Sequence, residues 1–344
     1  MTLILGIESS CDETAAALIA SDRRVLAHRL AGQEAAHQPY GGVVPEIAAR
    51  AHVEILPQLI QEVLAEAGVA LSEVDAIAVT AGPGLIGGVM VGLVTGKGLA
   101  LSAGKPLVAV NHLEGHALSP MLSEPDLAFP YLLLLVSGGH CQLLFVEGVG
   151  RYRRLATTID DAAGEAFDKS AKLLGLGYPG GPAIERAAKA GDPKAVPLPR
   201  PLLGSAEPHF SFAGLKSAVL RARDSGLHSA EDIAASFQQA VVDCILDRTG
   251  RALKTVQGAT ALVVAGGVAA NTAIRTALTE LAAKHDLPFV APPLWLCTDN
   301  AAMIGWAGLL RFEAGLVDEL DAPARARWPL DPSAEKARGA GVKA

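Results

Sequence analysis

The sequence predicts an α/β fold in which one architecture is used twice, and three observations predict it. Apolar runs of strand length alternate with stretches of helical periodicity. The order strand, tight polar turn, strand occurs at residues 3–20 and recurs at 131–146. The order strand, glycine turn, helix occurs at 75–103 and recurs at 261–284, which places the two copies at roughly 3–110 and 131–315. The identity between the halves is low, and it is the order of element types that repeats.

The elements follow in chain order. Apolar "LILGI", polar "ESSCDET" and apolar "AAALIA" predict a hairpin over Leu3 to Ala20. A helix is expected over Val44 to Gly68, with Pro45 in its first turn and Gly68 as its stop. "DAIAVT" runs into the glycine turn "AGPGLIGG" and a small-residue helix to about Ala103. "YLLLLV", "SGGH" and "CQLLFV" predict a second hairpin over Tyr131 to Val146. "AGEAFDKSAKLLGLG" has helical spacing, "PKAVPLPRPLLGSAEP" reads as a proline-rich connector, and the stretch from Ala230 to Val256 is a long amphipathic helix. "ALVVAGG" leads directly into a helix through Lys284, and Asp299 precedes a last helical run as its expected N-cap.

Composition bounds the function. With 344 residues, half of them hydrophobic, the chain is long enough for two domains of ordinary size. Aromatics are scarce at 4%, so the core is aliphatic, and 36 glycines cluster after apolar runs. A formal charge of -7 excludes a generic nucleic-acid coat and leaves room for local basic patches at Arg151–Arg154 and at Arg325 and Arg327. Four cysteines at 11, 141, 244 and 297 form no C-x-x-C pair and read as reduced buried thiols. No signal peptide and no uninterrupted apolar run of about 18 residues is seen, so no membrane span is expected and a cytoplasmic location is. The small, polar tail from Glu335 is expected to fray.

"NHLEGHALSP" carries His112 and His116 four residues apart. On a helix they share one face and can grip one divalent ion. The H-E-x-x-H protease motif has the same spacing, but its glutamate follows the first histidine directly, whereas here Leu113 stands there and Glu114 comes next. One residue is about 100° around a helix, so Glu114 would not face a metal-bound water. Asp299 is the candidate third ligand. Two imidazoles and one carboxylate leave a divalent ion with a net charge of about +1 and open positions.

The glycine turns "VSGGH" and "AGGVAAN" fit neither the P-loop nor the dinucleotide fingerprint. Backbone N–H groups at such turns approach anions, and two or three of them in a duplicated frame point to nucleotide binding. In "TIDDAAGEAFDKSAKLLGLGYPGGPAIE", Asp168 and the "YPGGP" loop either contact a ribose and a base or form a solvated face and a simple turn, and the residues alone favour the second. Asp12 and Glu13 are turn formers or groups pointed into a cleft.

Taken together, these motifs closely resemble the TsaD (Gcp) family of tRNA threonylcarbamoyladenosine transferases. The match runs nearly the whole chain in order, from "LGIESSCDETAAAL" through "YGGVVPEIAAR.H", "AGPGL", "HLEGH", "VSGGH.QL", "DDAAGEAFDK.AKLLGL.YPGGP", "FSF.GLK" and "AGGVAAN" to "CTDNAAMI". The resemblance implies the actin-like, sugar-kinase-like (ASKHA) ATPase fold, two tandem related α/β domains around a nucleotide cleft. We expect a first domain at 1–115, closed by a helix from 300–325, a second at 116–325 with a helical insertion at about 160–225, and a tail at 326–344. It also implies metal ligation by His112, His116 and Asp299, with Fe2+ favoured and Zn2+ admissible. Substrate contacts carry over to Val136, Ser137, Gly138, Gly139, His140, Asp168, Gly181 and Asn271, while Glu185 stands where some relatives have aspartate. The implied reaction transfers threonylcarbamoyl from threonylcarbamoyl-adenylate to N6 of adenosine 37 in tRNAs that read codons beginning with A, releasing AMP. No catalytic residue carries over, and Asp12 or Glu13 is our candidate for assisting deprotonation of the amine. Implied partners are tRNA, a TsaB-like paralogue pairing through a helical interface, a TsaE-like ATPase and a TsaC-type enzyme that makes the adenylate. The rival readings are a small-molecule kinase of the same fold and a metalloprotease.

Overall fold

The computed structural model describes residues 1–40, 42–335 and 337. The expected frayed tail lies outside them except for Glu335 and Ala337. The elements in chain order are strands β1 (Leu3–Glu8), β2 (Glu13–Ala20) and β3 (Val25–Gly32), helices α1 (Glu34–His37) and α2 (Pro45–Ala67), β4 (Ala76–Gly82), α3 (Ile86–Ala103), β5 (Leu107–Asn111), α4 (His112–Leu118) and α5 (Pro120–Ser123). Then come β6 (Tyr131–Val136), β7 (Cys141–Gly148), β8 (Arg151–Thr157), α6 (Ala163–Leu174), α7 (Gly180–Ala188), α8 (Ala213–Ser225) and α9 (Ala230–Thr255). The chain ends with β9 (Leu262–Ala265), α10 (Thr272–Ala283), β10 (Phe289–Val290), α11 (Leu294–Cys297) and α12 (Ala301–Glu313). These pack as two units: Met1–Asp126 with Thr298–Leu330, and Leu127–Cys297 with Asp331 onward.

The first unit holds a five-stranded sheet in the order β3-β2-β1-β4-β5, with the β1–β2 and β2–β3 pairs antiparallel and the β1–β4 and β4–β5 pairs parallel. The second repeats it as β8-β7-β6-β9-β10, again with two antiparallel pairs followed by two parallel ones. One architecture therefore occurs twice. The central strands β1, β4 and β6 are buried on both faces, which is why their sequences are continuous apolar runs rather than alternating ones.

Glycines set how closely the helices lie on the first sheet. A Cβ at Gly6 would stand 2.4 Å from the Ala301 carbonyl oxygen, and one at Gly308 would stand 2.2 Å from Ala78 Cβ, so α12 touches β1 and β4 almost backbone to backbone. Helix α3 uses a second stripe, in which Gly88, Gly92 and Gly96 press on Ser9, His52 and Val79. Its opposite face exposes Ile86, Met90, Val94 and Leu101. Of the described helices, α3 alone is long and apolar enough to cross a membrane, a feature hidden from the expectation of no span because single polar residues interrupt its apolar run.

Two local expectations are corrected. The last helix is capped by Asn300, whose Oδ1 accepts the Met303 N–H at 2.9 Å, and not by Asp299. The turn after β9 does not lead directly into a helix: residues Gly267–Ala270 form a 3-10 turn, and α10 starts at Thr272 behind the Asn271 cap. Asp318 also covers the β5 edge, its N–H donating to the Leu107 carbonyl (2.9 Å) and its Oδ2 accepting from the Ala109 N–H (2.8 Å).

The glycine contacts give a paired prediction. Gly6→Ala has no room to relax and is expected to lower stability by about 1–3 kcal/mol. Gly98→Ala, in an open stretch of the same unit's α3, is expected to raise it by about 0.5–1 kcal/mol. Urea unfolding midpoints of the two variants should move in opposite directions.

Candidate functional site

One cluster of candidate residues lies in the first unit, where β1 and β5 end. Asn111 closes β5 and caps α4 at once, its Oδ1 accepting the Leu113 N–H at 2.9 Å, so His112 and His116 are set on a helix that begins immediately after the strand. Their rings stand edge to face with centroids 4.8 Å apart. Because Asn300 takes the cap of α12, the Asp299 carboxylate is left to face them. Its Oδ1 lies 3.0 Å from His116 Nε2 and 3.4 Å from His112 Nε2, and one candidate ligand atom from each of the three residues lies within 4.8 Å of the others.

Sequence reasoning missed the residue behind this triad. Glu8, at the end of β1 and 1% exposed, accepts hydrogen bonds from His112 Nδ1 (3.0 Å), Thr80 Oγ1 (2.6 Å) and the Ser10 N–H (2.5 Å). A carboxylate on Nδ1 holds the proton there and turns the Nε2 lone pair toward Asp299, an arrangement typical of histidine metal ligands. The signal was a single glutamate ending an apolar strand, where a buried charge needs a partner. Glu114, in contrast, is clamped by Arg311 at 3.0 Å on the α12 side, so it is committed elsewhere and the protease reading loses its base.

The electrostatics ask for a cation. Burial pulls the His112 pKa down, but the Asp299 and Glu8 carboxylates override it and hold the ring well above its ordinary value. Burial pushes Asp299 and Glu8 up, and the imidazoles reverse this: His112 and His116 hold Asp299 well below the carboxylate range, and His112 holds Glu8 lower. Glu13 is pushed up to about 9, first by burial and then by the charges of Asp299 and Asp12. Burial also pushes up the Cys11 thiol, which is only half-buried, unlike the three fully buried cysteines. A proton on His112 thus stands where a positive ion is wanted. His116 Nδ1 is buried without a hydrogen-bond partner among the described residues, so its polar capacity is all on the Asp299 side. This donor set, two imidazole nitrogens and one carboxylate backed by a second, fits one divalent metal ion.

The second cluster lies in the second unit. Parallel strands β6 and β9 end side by side, and the carboxyl ends of such strands are where α/β sheets take ligands. Val136 is the last, buried residue of β6. After it, Ser137 closes the hairpin turn, its N–H donating to the His140 carbonyl (2.8 Å) and its Oγ accepting the His140 N–H (3.1 Å). Gly138 and Gly139 border open space, as do Gly181 and Gly267. Gly266, at φ +94°, could carry no side chain, because a Cβ would stand 2.4 Å from the Val136 carbonyl oxygen.

The acids around α6 are neither a solvated face nor an indiscriminate cluster. Asp160 anchors the start of α8 through the Phe212 N–H (2.8 Å) and Ser211 Oγ (2.5 Å). Asp161 pairs with Lys169 at 2.6 Å, and Glu165 accepts the Ala162 N–H at 2.9 Å. Asp168 accepts the Gly180 N–H at 2.8 Å through Oδ1, with burial holding its pKa up. Asn271 commits its amide to protein, Oδ1 to the Ile274 N–H (3.0 Å) and Nδ2 to Gln238 (2.8 Å). Glu185 accepts the Thr272 N–H at 2.9 Å and so fixes the start of α10.

The geometry has counterparts in known proteins. A profile of the TsaD family, tRNA N6-adenosine threonylcarbamoyltransferase, matches residues 24–306. Relatives bearing that name include one from Sphingopyxis alaskensis, 77% identical over the full length of both chains, and one from Zymomonas mobilis, 68% identical over all of this chain and 96% of the relative. Among solved structures, HypF from T. kodakarensis superposes with a TM-score of 0.63 at 16% identity, covering 91% of this chain and 48% of HypF. Component A of the (R)-2-hydroxyglutaryl-CoA dehydratase of Acidaminococcus fermentans gives 0.53 at 16% identity, covering 89% and 97%. The fold is the ASKHA fold.

Two predictions come from the first cluster. Without metal, His112 contributes stability that is full below pH about 6.5 and is lost as pH rises through its raised folded value. Glu13, protonated up to about 9, adds a loss of the same sign above its unfolded value of 4.5. The melting midpoint of metal-free protein should therefore fall as pH rises from 6.5, and a stoichiometric divalent metal, which needs neutral imidazole, should reverse the slope. Glu8→Ala should weaken metal binding by about 10–100-fold in a chelator competition titration.

Proposed function

The chain belongs to the TsaD family and is a tRNA-modifying N6-adenosine threonylcarbamoyltransferase, and from that premise we propose how its residues serve the reaction. The donor is threonylcarbamoyl-adenylate, the acceptor is N6 of adenosine 37 in tRNAs reading codons that begin with A, and AMP leaves. The observation that carries this reading is the cation-demanding pocket of His112, His116 and Asp299 with Glu8 behind it. We propose Fe2+ as the metal, which the family resemblance favours; two imidazoles and one carboxylate with open positions would accept Zn2+ as well. A divalent ion held by His112, His116 and Asp299 would supply Lewis-acid stabilisation of negative charge developing on a phosphate or carbamoyl oxygen.

The chain's own residues do the rest. The open backbone at Gly138 and Gly139, in the turn that Ser137 and His140 close, receives the adenylate phosphate or sugar, and Asp168, with one oxygen held by Gly180, offers the other to a ribose hydroxyl. Gly181 leaves room beside it. Val136 and Asn271 shape the floor by packing, since the side chain and both backbone groups of Asn271 are bonded within the protein. The attacking amine loses a proton as the new C–N bond forms and the bond to AMP breaks. Asp12 or Glu13 accepts that proton, and Glu13, kept protonated first by burial and then by the Asp299 charge, can do so only once a nearby cation offsets both.

A net charge of -7 makes tight binding of tRNA by this chain alone unfavourable, because phosphate contacts dominate such affinity. We assign tRNA docking to local basic residues, Arg151 and Arg153 on β8 and Arg325 and Arg327, with help from partners. The exposed stripe of Ile86, Met90 and Val94 on α3 suits the helical interface expected for a TsaB-like paralogue, and a TsaE-like ATPase completes the set. The reaction takes place in the cytoplasm, where tRNA is.

The test is mass spectrometry of tRNA nucleosides after incubation with threonylcarbamoyl-adenylate and the partner proteins. Wild type should form threonylcarbamoyl-adenosine, and His112→Ala should form none. Product from both proteins would remove the metal from the reaction. Product from neither, together with phosphorylation of a small acceptor by ATP, would favour the kinase reading. The Asp12→Ala, Glu13→Ala double variant should lose at least about 100-fold in rate, the lower bound for a general base.

A further inference from the structure

Beneath the turn that carries Asp12 and Glu13 lies a chain of buried polar side chains that no step above uses. The Val44 N–H, at the entrance of α2, donates to His37 Nδ1 at 3.3 Å. His37 Nε2 lies 3.1 Å from Gln33 Oε1. The Gln33 amide nitrogen lies 3.3 Å from His52 Nδ1 and 3.4 Å from the Ala48 carbonyl, and Thr14 Oγ1 stands 2.7 Å from the same His52 nitrogen. His52 Nε2 reaches the Cys11 carbonyl at 3.2 Å. His52 and Thr14 are fully buried, His37 is 4% exposed and Gln33 7%.

The two ends fix the direction of every bond. A backbone N–H can only donate, so His37 Nδ1 is the acceptor and the proton sits on Nε2, aimed at Gln33 Oε1. A carbonyl can only accept, so His52 carries its proton on Nε2 and accepts at Nδ1, where Gln33 and Thr14 offer donors. Both assignments agree on the orientation of the Gln33 amide between them. The chain is therefore polarised one way, from Val44 to Cys11, with each imidazole neutral and in one tautomer. Such a network, fully satisfied, specifies one arrangement of what it touches. A glycine of α3 shuts it in, since a Cβ at Gly88 would stand 3.0 Å from His52 Nε2 and 2.5 Å from the Ser9 carbonyl oxygen.

We propose that Gln33, His37 and His52, with Thr14, form a positioning relay that holds the Cys11–Glu13 turn and ties its geometry to Val44 at the entrance of α2. His52 is the residue through which the tie acts. Its bond is to the peptide next to Asp12, so a shift of His52 turns that peptide and the two carboxyl groups after it. The catalytic side of this inference rests on the reading that Asp12 or Glu13 takes the proton of the amine. The mechanical side does not.

Hydrogen exchange of the full-length chain, read on peptides 9–15 and 42–52, tests the mechanical side. Loss of one buried hydrogen bond corresponds to about tenfold faster exchange where opening is local. His52→Ala should accelerate peptide 9–15 by about that factor, and His52→Gln, which keeps a donor for the Cys11 carbonyl, should recover most of it. His37→Ala is the discriminating variant. A purely local role would change only peptide 42–52, whereas the relay requires peptide 9–15 to respond as well. Unchanged exchange at 9–15 in either alanine variant overturns the relay. In the transfer assay, both variants should lower kcat about tenfold, with metal content and the KM for the adenylate unchanged. Faster exchange at 9–15 with an unchanged kcat would keep the relay and remove Asp12 and Glu13 from the chemistry, which separates the two failures.

Discussion

Everything at the first cluster depends on one electrostatic constraint: Glu8 is a carboxylate buried at the end of a central strand, and it cannot stay there uncompensated. It gathers the Ser10 N–H, the Thr80 hydroxyl and the His112 ring, and by doing so aims His112 at Asp299. A second carboxylate opposite adds to the demand, which the His112 proton meets in part and a divalent ion meets in full. A buried ion pair is poor evidence of stability, since desolvation offsets much of its attraction. Its presence here is explained by the orientation it imposes on the His112 ring.

The fold was legible because its signals are local. Continuous apolar strands and Pro45 and Gly68 bounding α2 could be read without tertiary contacts, and each lies in the structure where the chain places it. The clustering of His112 and His116 was legible because an i, i+4 histidine pair carries its own geometry. What escaped were roles decided by a neighbour far along the chain. Asp299 was expected to cap a helix, and Asn300, one residue on, caps it instead. Glu8 looked like the end of a strand until a histidine 104 residues later was seen to donate to it. Asp160 and Asp168 of "DDAAGEAFDK" looked like a solvated face because their partners, at the start of α8 and in the Gly180 turn, lie well beyond a helical period.

The two sheets repeat one topology but are used differently. The first unit concentrates charge where β1 and β5 end, and its glycines bring helices close. The second leaves bare backbone where β6 and β9 end, with Gly138 and Gly139 open and Gly266 allowing the two strand ends to touch. Both lie at the carboxyl ends of parallel strands, one built from side chains and the other from peptide groups.

The composition of the first unit has a consequence for biosynthesis. Residues Thr298–Leu330 supply Asp299, all of α12 and the Asp318 contacts of the β5 edge, whereas the second unit up to Cys297 is one unbroken stretch. On a ribosome the amino-terminal sheet emerges first and lacks both Asp299 and its covering helix until residues 299–313 have been made. The second unit is then free to fold before the first is complete, against the usual amino-terminal-first order. The cluster of His112, His116 and Asp299 cannot form before residue 299 is made, and a nascent chain arrested before residue 298 exposes the β1 and β4 surface that α12 would cover.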